Sequence, residues 1–303
     1  MANPTQEKNR TGYVLVFIAL IVTVILLATI AASLILYNPA SPAADSNEGT
    51  IQHRFDGEDV WEEEELEEED TSPASVLHLL PENPYGQNDF QYDGWFLKST
   101  TVECLSGIDV SAYQGDIDWH QVAEAGVDFA IIRLGYRGYE SGKLVEDKFA
   151  RQNLEGAAEA GIQIGVYFFS QALNPNEARE EAQFVLDMID PYEIAMPVVF
   201  DWEHVNNETA RTNNMNPYAA TDCAKAFLEV IDEAGYWPMM YFNSFQSRKL
   251  FYLDQLMEYD FWLALYSDRM TFPYKVDMWQ YTCTGTIPGV FGDVDVNVLF
   301  LHE

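Results

Sequence analysis

The chain has 303 residues, of which 49 are Asp or Glu and 16 are Lys or Arg, so its formal net charge is -33. This acidic balance excludes a nucleic-acid-binding protein, because contact with phosphates needs a basic surface. The length is sufficient for one domain of catalytic size together with additional segments.

An uncharged apolar segment near the N-terminus, residues 13–37, predicts a transmembrane helix. It is long enough to cross a hydrocarbon core of about 30 Å, and it exceeds the usual apolar region of a signal peptide. Lys8 and Arg10 precede it. The positive-inside rule therefore predicts a single-pass protein of the bacterial cell membrane, with residues 1–12 in the cytoplasm and the rest extracytoplasmic. A cleaved signal peptide is the alternative, since small residues lie at 31–33.

Residues 38–100 are rich in Pro, Ser, Ala, Glu and Asp and have no apolar periodicity. This composition predicts an acidic, disordered linker between the membrane and the following domain. The acidic runs at 62–65 and 67–70 are typical of a solvated, self-repelling segment. Aromatic residues between 83 and 98 indicate that this end of the linker packs onto the domain that follows.

The cysteines and histidines predict neither a metal site nor a cofactor. The three cysteines, Cys104, Cys223 and Cys283, have a spacing that matches no metal site, and the five histidines are scattered. An odd number of cysteines leaves at least one unpaired within the chain. One disulfide remains an open alternative, and the sequence does not select its pair.

Residues 101–303 alternate between short apolar runs and amphipathic stretches, which predicts alternating strands and helices in one domain. Strands are predicted at 107–111, 128–135, 162–170, 196–201, 237–243, 261–267, 276–281 and 293–300. Helices are predicted at 118–126, 147–161, 175–189, 217–235 and 244–257.

This order predicts an α/β fold, a modified TIM-like barrel of five βα units followed by three further strands and preceded by the transmembrane helix. Near-continuous apolar strands alternating with helices indicate a parallel sheet covered on its faces. A flat, doubly wound sheet is the alternative, but no Gly-rich phosphate loop follows the first strand.

Four carboxylates lie within or at the ends of three predicted strands: Asp109, Asp201, Glu203 and Asp295. A barrel would bring them to one mouth, where such folds place their working residues. Asp201 and Glu203 share one face of their strand, with Cα atoms roughly 6.5 Å apart. Carboxyls this close drive their pKa values apart, which suits the acid and the carboxylate of glycoside hydrolysis. The alternative is a pair of exposed acids at a strand end.

Aromatic residues in or just after the strands favour a sugar-binding cleft. Tyr136, Tyr167, Tyr241 and Trp262 are the members of this group predicted to contact substrate. Aromatic faces offer a large contact area to sugar rings with little loss of entropy. For any one of them, packing in the core is the alternative explanation.

The sequence resembles the glycoside hydrolase family 25 lysozymes, also called N-acetylmuramidases. The first and last matching segments, GIDVSAYQGDIDW and WQYTCTGTIPGVFGDVDVN, are long and specific. Shorter ones, such as PVVFDWE and FWLALY, lie between them in the order of the family. The resemblance covers about residues 105–303.

This resemblance implies cleavage of the β-1,4 bond between N-acetylmuramic acid and N-acetylglucosamine in the glycan strands of peptidoglycan, without a cofactor. It implies that Glu203 is the general acid and that Asp201 orients or stabilises the 2-acetamido group of the substrate. Asp109 and Asp295 correspond to supporting acids. Tyr167, Tyr241 and Gln280 correspond to substrate contacts.

Two other functions remain open from the sequence: a hydrolase of another N-acetylhexosamine glycan, such as a chitinase, and a non-catalytic cell-wall glycan-binding protein. The presence of all four acids argues against the second. The strand geometry does not distinguish retaining from inverting hydrolysis. The resemblance favours assistance by the acetamido group with net retention.

Overall fold

The structure is a computed structural model that describes residues 71–301. The predicted cytoplasmic segment 1–12, the predicted anchor 13–37 and the linker up to residue 70 lie outside the described residues. Within 71–301, no helix combines the length and the apolar character that crossing a bilayer requires.

The strands of the described part are numbered in chain order. They are β1 Phe90–Asp93, β2 Phe96–Ser99, β3 Cys104–Val110, β4 Phe129–Arg137, β5 Leu144–Glu146, β6 Gln163–Ser170, β7 Val198–Trp202, β8 Pro238–Asn243, β9 Asp260–Ala264, β10 Met278–Gly285 and β11 Val294–Phe300. The α-helices are α1 Pro73–Val76, α2 Trp119–Glu124, α3 Ala150–Glu159, α4 Pro175–Ile189, α5 Pro217–Glu233 and α6 Gln246–Lys249. Two 3-10 turns span Leu77–Leu79 and Leu253–Leu256.

Eight of the strands in residues 71–301 close into a barrel in the order β3, β4, β6, β7, β8, β9, β10 and β11. The pairings from β3 through to β10 are parallel. The last strand, β11, is antiparallel to both of its neighbours, β10 and β3. The predicted barrel of βα units with further strands is therefore confirmed. The flat-sheet alternative is wrong, because β3 pairs with β11 on one edge and with β4 on the other, and these two pairings close the strand order into a ring.

The two longest helices of the described residues, α4 and α5, begin where the sequence supplies a capping side chain and a residue that suits the first turn. Asn174 accepts hydrogen bonds from the backbone N–H groups of the first turn of α4, and Pro175 follows it. Asn216 and Pro217 repeat this arrangement at α5. Asn satisfies the free donors of a helix start, and Pro has the backbone angle that the first position needs.

The fifth predicted helix, 244–257, is shorter than expected. The chain there forms α6 and then the 3-10 turn Leu253–Leu256. Between them, the Tyr252 N–H donates to Thr221 Oγ1 at 3.0 Å. This bond ties the chain to α5 instead of continuing the ladder of α6.

Apolar side chains that alternate along the strands fill the part of the barrel interior towards the N-terminal ends of the parallel strands, which is called the lower part. Phe129, Ile131, Met239, Met278 and Leu299 belong to this inner cluster. Two glycines make room for it: a Cβ on Gly107 would lie 2.3 Å from the Phe129 ring, and one on Gly165 would lie 2.6 Å from Ile131 Cδ1. A separate, larger cluster of buried apolar residues joins the outer faces of the strands to the helices.

The folded domain begins earlier than the predicted boundary at residue 101, so the linker prediction for 71–100 is wrong. The β1–β2 hairpin buries Phe96 and Leu97, and the Leu97 N–H donates to the Tyr281 hydroxyl at 3.0 Å. The Tyr85 ring lies 4.2 Å from the Phe300 ring. The aromatic residues of this segment thus pack onto the barrel as the sequence indicated, and their burial outweighs the polar composition around them.

The three cysteines are all free. Cys104 is partly buried, Cys223 is buried and Cys283 is exposed. The disulfide that the sequence left open is absent from the described residues.

Candidate active site

A cavity of about 190 Å³ opens at the end of the barrel where the parallel strands terminate. The antiparallel β11 contributes its N-terminal end to this mouth, and Asp295 pairs there with Asp109 of β3. Asp201 is the penultimate residue of β7, and Glu203 directly follows the strand. All four predicted acids therefore line one cavity, together with Tyr167, Tyr241, Trp262 and Gln280.

Tyr136 is the one predicted site residue that does not line the cavity. Its ring lies against the Arg133 guanidinium, 5.7 Å from ring centre to carbon. Tyr136 therefore contacts Arg133, a residue that lines the cavity. A direct contact with substrate remains an untested prediction for this residue.

Asp109 is held by two side-chain amides at the base of the cavity. Its Oδ2 accepts from Gln280 Nε2 and from Asn297 Nδ2, both at 2.8 Å. The Trp262 indole N–H donates to Asn297 Oδ1 at 2.9 Å, which fixes the orientation of that amide. Buried polar networks of this kind are rigid when every member is satisfied.

Gln280 connects Asp109 to two tyrosines on the cavity wall. Its Oε1 accepts from the Tyr241 hydroxyl at 3.2 Å and from the Tyr266 hydroxyl at 3.1 Å. The two donors leave Gln280 Nε2 free to point at Asp109. Gln280 thus links the base of the cavity to aromatic side chains nearer its opening.

Burial raises the pKa of each of the four carboxyl groups. The pKa of Asp109 rises well above its usual range through burial and the nearby charge of Asp295. Burial raises the pKa of Asp295 to about 6. The pKa of Asp201 rises through burial and the charge of Glu203. The cluster therefore retains protons at a higher pH than isolated carboxyl groups would.

Glu203 combines a raised pKa with access to the cavity. Burial raises its pKa, the hydrogen bond from Tyr241 opposes this shift, and the charge of Asp295 adds to it. Asp201, only 5 % exposed, has an Oδ1 atom without a hydrogen-bond partner among residues 71–301. One group can thus donate a proton while its neighbour offers an unoccupied acceptor, which is the division that glycoside hydrolysis requires.

Two buried glutamines hold the backbone from which Glu203 projects. Gln171 Nε2 donates to the Glu203 carbonyl at 2.8 Å, and Thr212 Oγ1 donates to Gln171 Oε1 at 2.6 Å. Gln246 Nε2 donates to the Trp202 carbonyl at 2.5 Å. These bonds replace the sheet pairing that ends with β7, so the backbone of the candidate acid is fixed.

Sequence reasoning missed Arg133, which enters the cavity from β4. Its guanidinium binds Asp147 Oδ2 through Nε at 2.8 Å and Nη2 at 2.7 Å, and the ring of Tyr113 lies 5.3 Å from it. Arg133 is two positions after Ile131 on the inward face. The same two-residue alternation that placed the acids would have found it.

Asn297 was also missed, although the same rule applies to it. It lies two positions after Asp295 on β11 and is fully buried. Its role depends on the pairing of β11 with β3, which is a long-range contact that the sequence alone does not display.

The barrel mouth, with clustered carboxyls beside tyrosine and tryptophan rings, has the composition of a carbohydrate-cleaving site. Residues 108–290 match the family described as "Glycosyl hydrolases family 25". The chain belongs to this family, and the prediction of a glycoside hydrolase is confirmed.

Relatives by sequence include Lysozyme M1 of Streptomyces globisporus, which is 27% identical over 212 residues. The alignment covers 64% of this chain and 67% of that protein. The uncharacterized protein YegX of Escherichia coli K12 is 28% identical over 205 residues, which cover 64% of this chain and 69% of YegX.

Among solved structures, the modular autolysin LytC of Streptococcus pneumoniae superimposes with a TM-score of 0.57 and 27% identity. The match covers 65% of this chain and 47% of LytC, so the chain spans about half the length of that relative. A family 25 glycosyl hydrolase of Bacillus anthracis superimposes with a TM-score of 0.54 at 23% identity, covering 70% of this chain and 95% of that one.

Proposed function

We propose that this protein is a membrane-anchored peptidoglycan hydrolase that cleaves the β-1,4 bond between N-acetylmuramic acid and N-acetylglucosamine. The observation that carries the proposal is the cluster of Asp109, Asp201, Glu203 and Asp295 around one cavity. The similarity of the chain to Lysozyme M1 and to the autolysin LytC supports a bacterial cell-wall glycan as substrate.

Glu203 is the proposed general acid. It protonates the oxygen of the leaving sugar as the bond from that oxygen to the anomeric carbon breaks. Asp201 accepts a hydrogen bond from the N–H of the 2-acetamido group, whose carbonyl oxygen attacks the anomeric carbon. Water then opens this cyclic intermediate while Glu203 takes back a proton, which gives net retention. The raised pKa of Glu203 supports the first step, because the donor must hold its proton.

The test of the substrate uses the full chain in detergent on purified peptidoglycan, with the products reduced by borohydride and analysed by mass. Reduced muramic acid at the ends of the products supports the proposed bond. Reduced N-acetylglucosamine at those ends identifies the other bond of the glycan and contradicts the proposal. Cleavage of chitin oligomers without cleavage of peptidoglycan would instead favour a chitinase-like enzyme. Binding to peptidoglycan without any cleavage would favour a non-catalytic glycan-binding protein.

The stereochemical route is tested by proton NMR of the first products. Net retention gives the β-anomer first, followed by slow mutarotation. Early appearance of the α-anomer would contradict assistance by the acetamido group.

The proposed location is the bacterial cell membrane, with residues 13–37 as the single-pass anchor, the N-terminus in the cytoplasm and the barrel outside. Cys283 provides a reporter, because it is exposed whereas Cys104 and Cys223 are partly or fully buried. A membrane-impermeant maleimide added to intact protoplasts should label the wild type and should fail to label Cys283→Ser. Labelling of the wild type only after lysis would contradict this orientation.

A further inference from the structure

A second depression, here called the outer groove, adjoins the central cavity. It has a volume of about 340 Å³ and begins at Glu203, which lines both spaces. Its walls include His204, Asn213, Asn243, Phe245 and Lys249. A ligand that reaches Glu203 in the central cavity is therefore next to the outer groove.

The two spaces differ in charge. Four carboxyl groups line the central cavity, whereas Glu203 is the single carboxyl group in the lining of the outer groove, beside His204 and Lys249. Lys249 is exposed, and no carboxylate among residues 71–301 lies within ion-pairing distance of it. An unpaired lysine next to a catalytic cavity stands out in a chain of net charge -33. The outer groove therefore favours an anionic ligand group.

An apolar surface accompanies this positive charge. The Phe245 side chain is 67% exposed at the edge of the outer groove. Exposed aromatic rings of this size offer contact area at low entropic cost. The ligand that fits has carboxylates and small apolar groups together, as an acidic peptide with short side chains does.

The outer groove is rigid on the side that faces Glu203. Gln246, which lines it, is bonded to the Trp202 carbonyl, and the Asn243 N–H donates to Gln246 Oε1 at 2.8 Å. Thr212, also in the lining, is bonded to Gln171. The same contacts that fix the backbone of Glu203 thus fix these walls, so a ligand in the outer groove is held in register with the catalytic carboxyl.

We propose that the outer groove binds the peptide that the muramic acid residue of the substrate carries, with Lys249 paired to a peptide carboxylate and Phe245 against its alanine methyl groups. This inference rests on the proposed function. In the intact substrate the lactyl carboxyl group of each muramic acid residue is held in the amide bond to the peptide, so the free carboxylates that Lys249 can pair with belong to the peptide. Charge complementarity therefore favours peptide over further sugar units in this groove.

The test compares two substrates prepared from one peptidoglycan sample: glycan strands with their peptides intact, and the same strands freed of peptide by an amidase, whose exposed lactyl carboxylates are then converted to neutral methylamides with a carbodiimide and methylamine. The quantity measured is the ratio of kcat/KM on the first to kcat/KM on the second. Lys249→Gln should lower this ratio by about threefold to fivefold, as expected for a partly solvated ion pair. Lys249→Glu should lower it further, because it places like charges together. Phe245→Ala should lower it as well.

Arg248→Gln is the matched control, since it removes the same charge from the same short helix at a residue outside the groove lining. Its ratio should equal that of the wild type. An unchanged ratio for Lys249→Gln, or an equal loss on both substrates, would overturn the inference, because the groove would then bind nothing or bind sugar. A wild type that cleaves neither substrate would instead overturn the proposed function itself.

Discussion

The lower and upper parts of the barrel interior are built by the same strands from opposite kinds of side chain. Met278 lies in the apolar lower part, and Gln280, two positions further along β10, lies in the polar mouth. On β4, Ile131 and Arg133 divide in the same way. The lower part excludes water, and the resulting burial raises the pKa values above it. The comparison shows that residues without chemistry of their own set the proton affinity of those that have it.

The largest expected effect comes from the mouth. Glu203→Gln keeps the shape of the side chain but removes the proton donor, so kcat should fall by about 10²- to 10⁴-fold. Release of reducing ends from peptidoglycan measures the loss. Glu208→Gln, an exposed acid in the loop that follows, should keep full turnover. Near-wild-type turnover of Glu203→Gln would show that another group donates the proton.

The next effect comes from the lower part and concerns stability. Phe129→Ala removes a fully buried ring that packs over Gly107, and it should lower the free energy of unfolding by about 3–5 kcal/mol. Urea denaturation followed by tryptophan fluorescence measures the change. Phe291→Ala, at a side chain that is 91% exposed, should leave the midpoint unchanged. A small loss of unfolding free energy for Phe129→Ala would mean that neighbouring side chains in the lower part of the barrel move to fill the cavity.

The third effect is a pH dependence of stability, which arises because Asp295 in the mouth of the barrel is partly buried. Because the pKa of Asp295 is about 6 in the folded chain and 3.8 in a free carboxyl, the folded state holds this proton more tightly. The associated stability is present below pH 4 and is lost as the pH rises to 6, at most about 3 kcal/mol. Asp295→Asn should therefore flatten the fall in melting temperature between pH 4 and pH 7.

The control for this pH effect is Glu159→Gln, which makes the same charge change at an exposed position on α3. Its melting curve should keep the wild-type dependence on pH. If Asp295→Asn and Glu159→Gln behave alike, net charge and not the buried carboxyl accounts for the fall.

The smallest effect separates the two tyrosines on Gln280. Tyr266→Phe removes one donor to Gln280 Oε1 and leaves the bond from Tyr241. Since a neutral hydrogen bond contributes about 0.5–1.5 kcal/mol, kcat/KM should fall by about twofold to tenfold. Tyr92→Phe, at an exposed tyrosine outside the cavity lining, should have no effect. A fall in kcat/KM of more than about tenfold for Tyr266→Phe would indicate that the Tyr266 hydroxyl contacts substrate directly.

Much of the fold and of the site could be predicted because both depend on local alternation. The order of apolar runs predicted the barrel, and the two-residue period put Asp201 and Glu203 on one face. The assembly of Asp109 with Asp295 followed from the assumption that the barrel closes. These features need only strand periodicity and one topological rule.

The features that were missed depend on contacts between distant segments. The burial of Leu97 depends on Tyr281, which is 184 positions away. The backbone around Glu203 is fixed by hydrogen bonds from Gln171 and Gln246, which are ordinary polar residues in the sequence. The neighbouring sequence does not distinguish such glutamines from exposed ones, because their role depends on hydrogen bonds to backbone carbonyl groups of distant residues.

The pairing of β3 with β11 has a consequence for how the enzyme gains its activity. The register joins Asp109 to Asp295 across the seam where the first and last strands of the barrel meet. Contacts between residues so far apart in sequence form slowly during folding, because the intervening loop must close first. A chain in which this seam has not formed lacks the pairing of Asp109 with Asp295. Catalytic activity in this protein therefore reports the completion of folding.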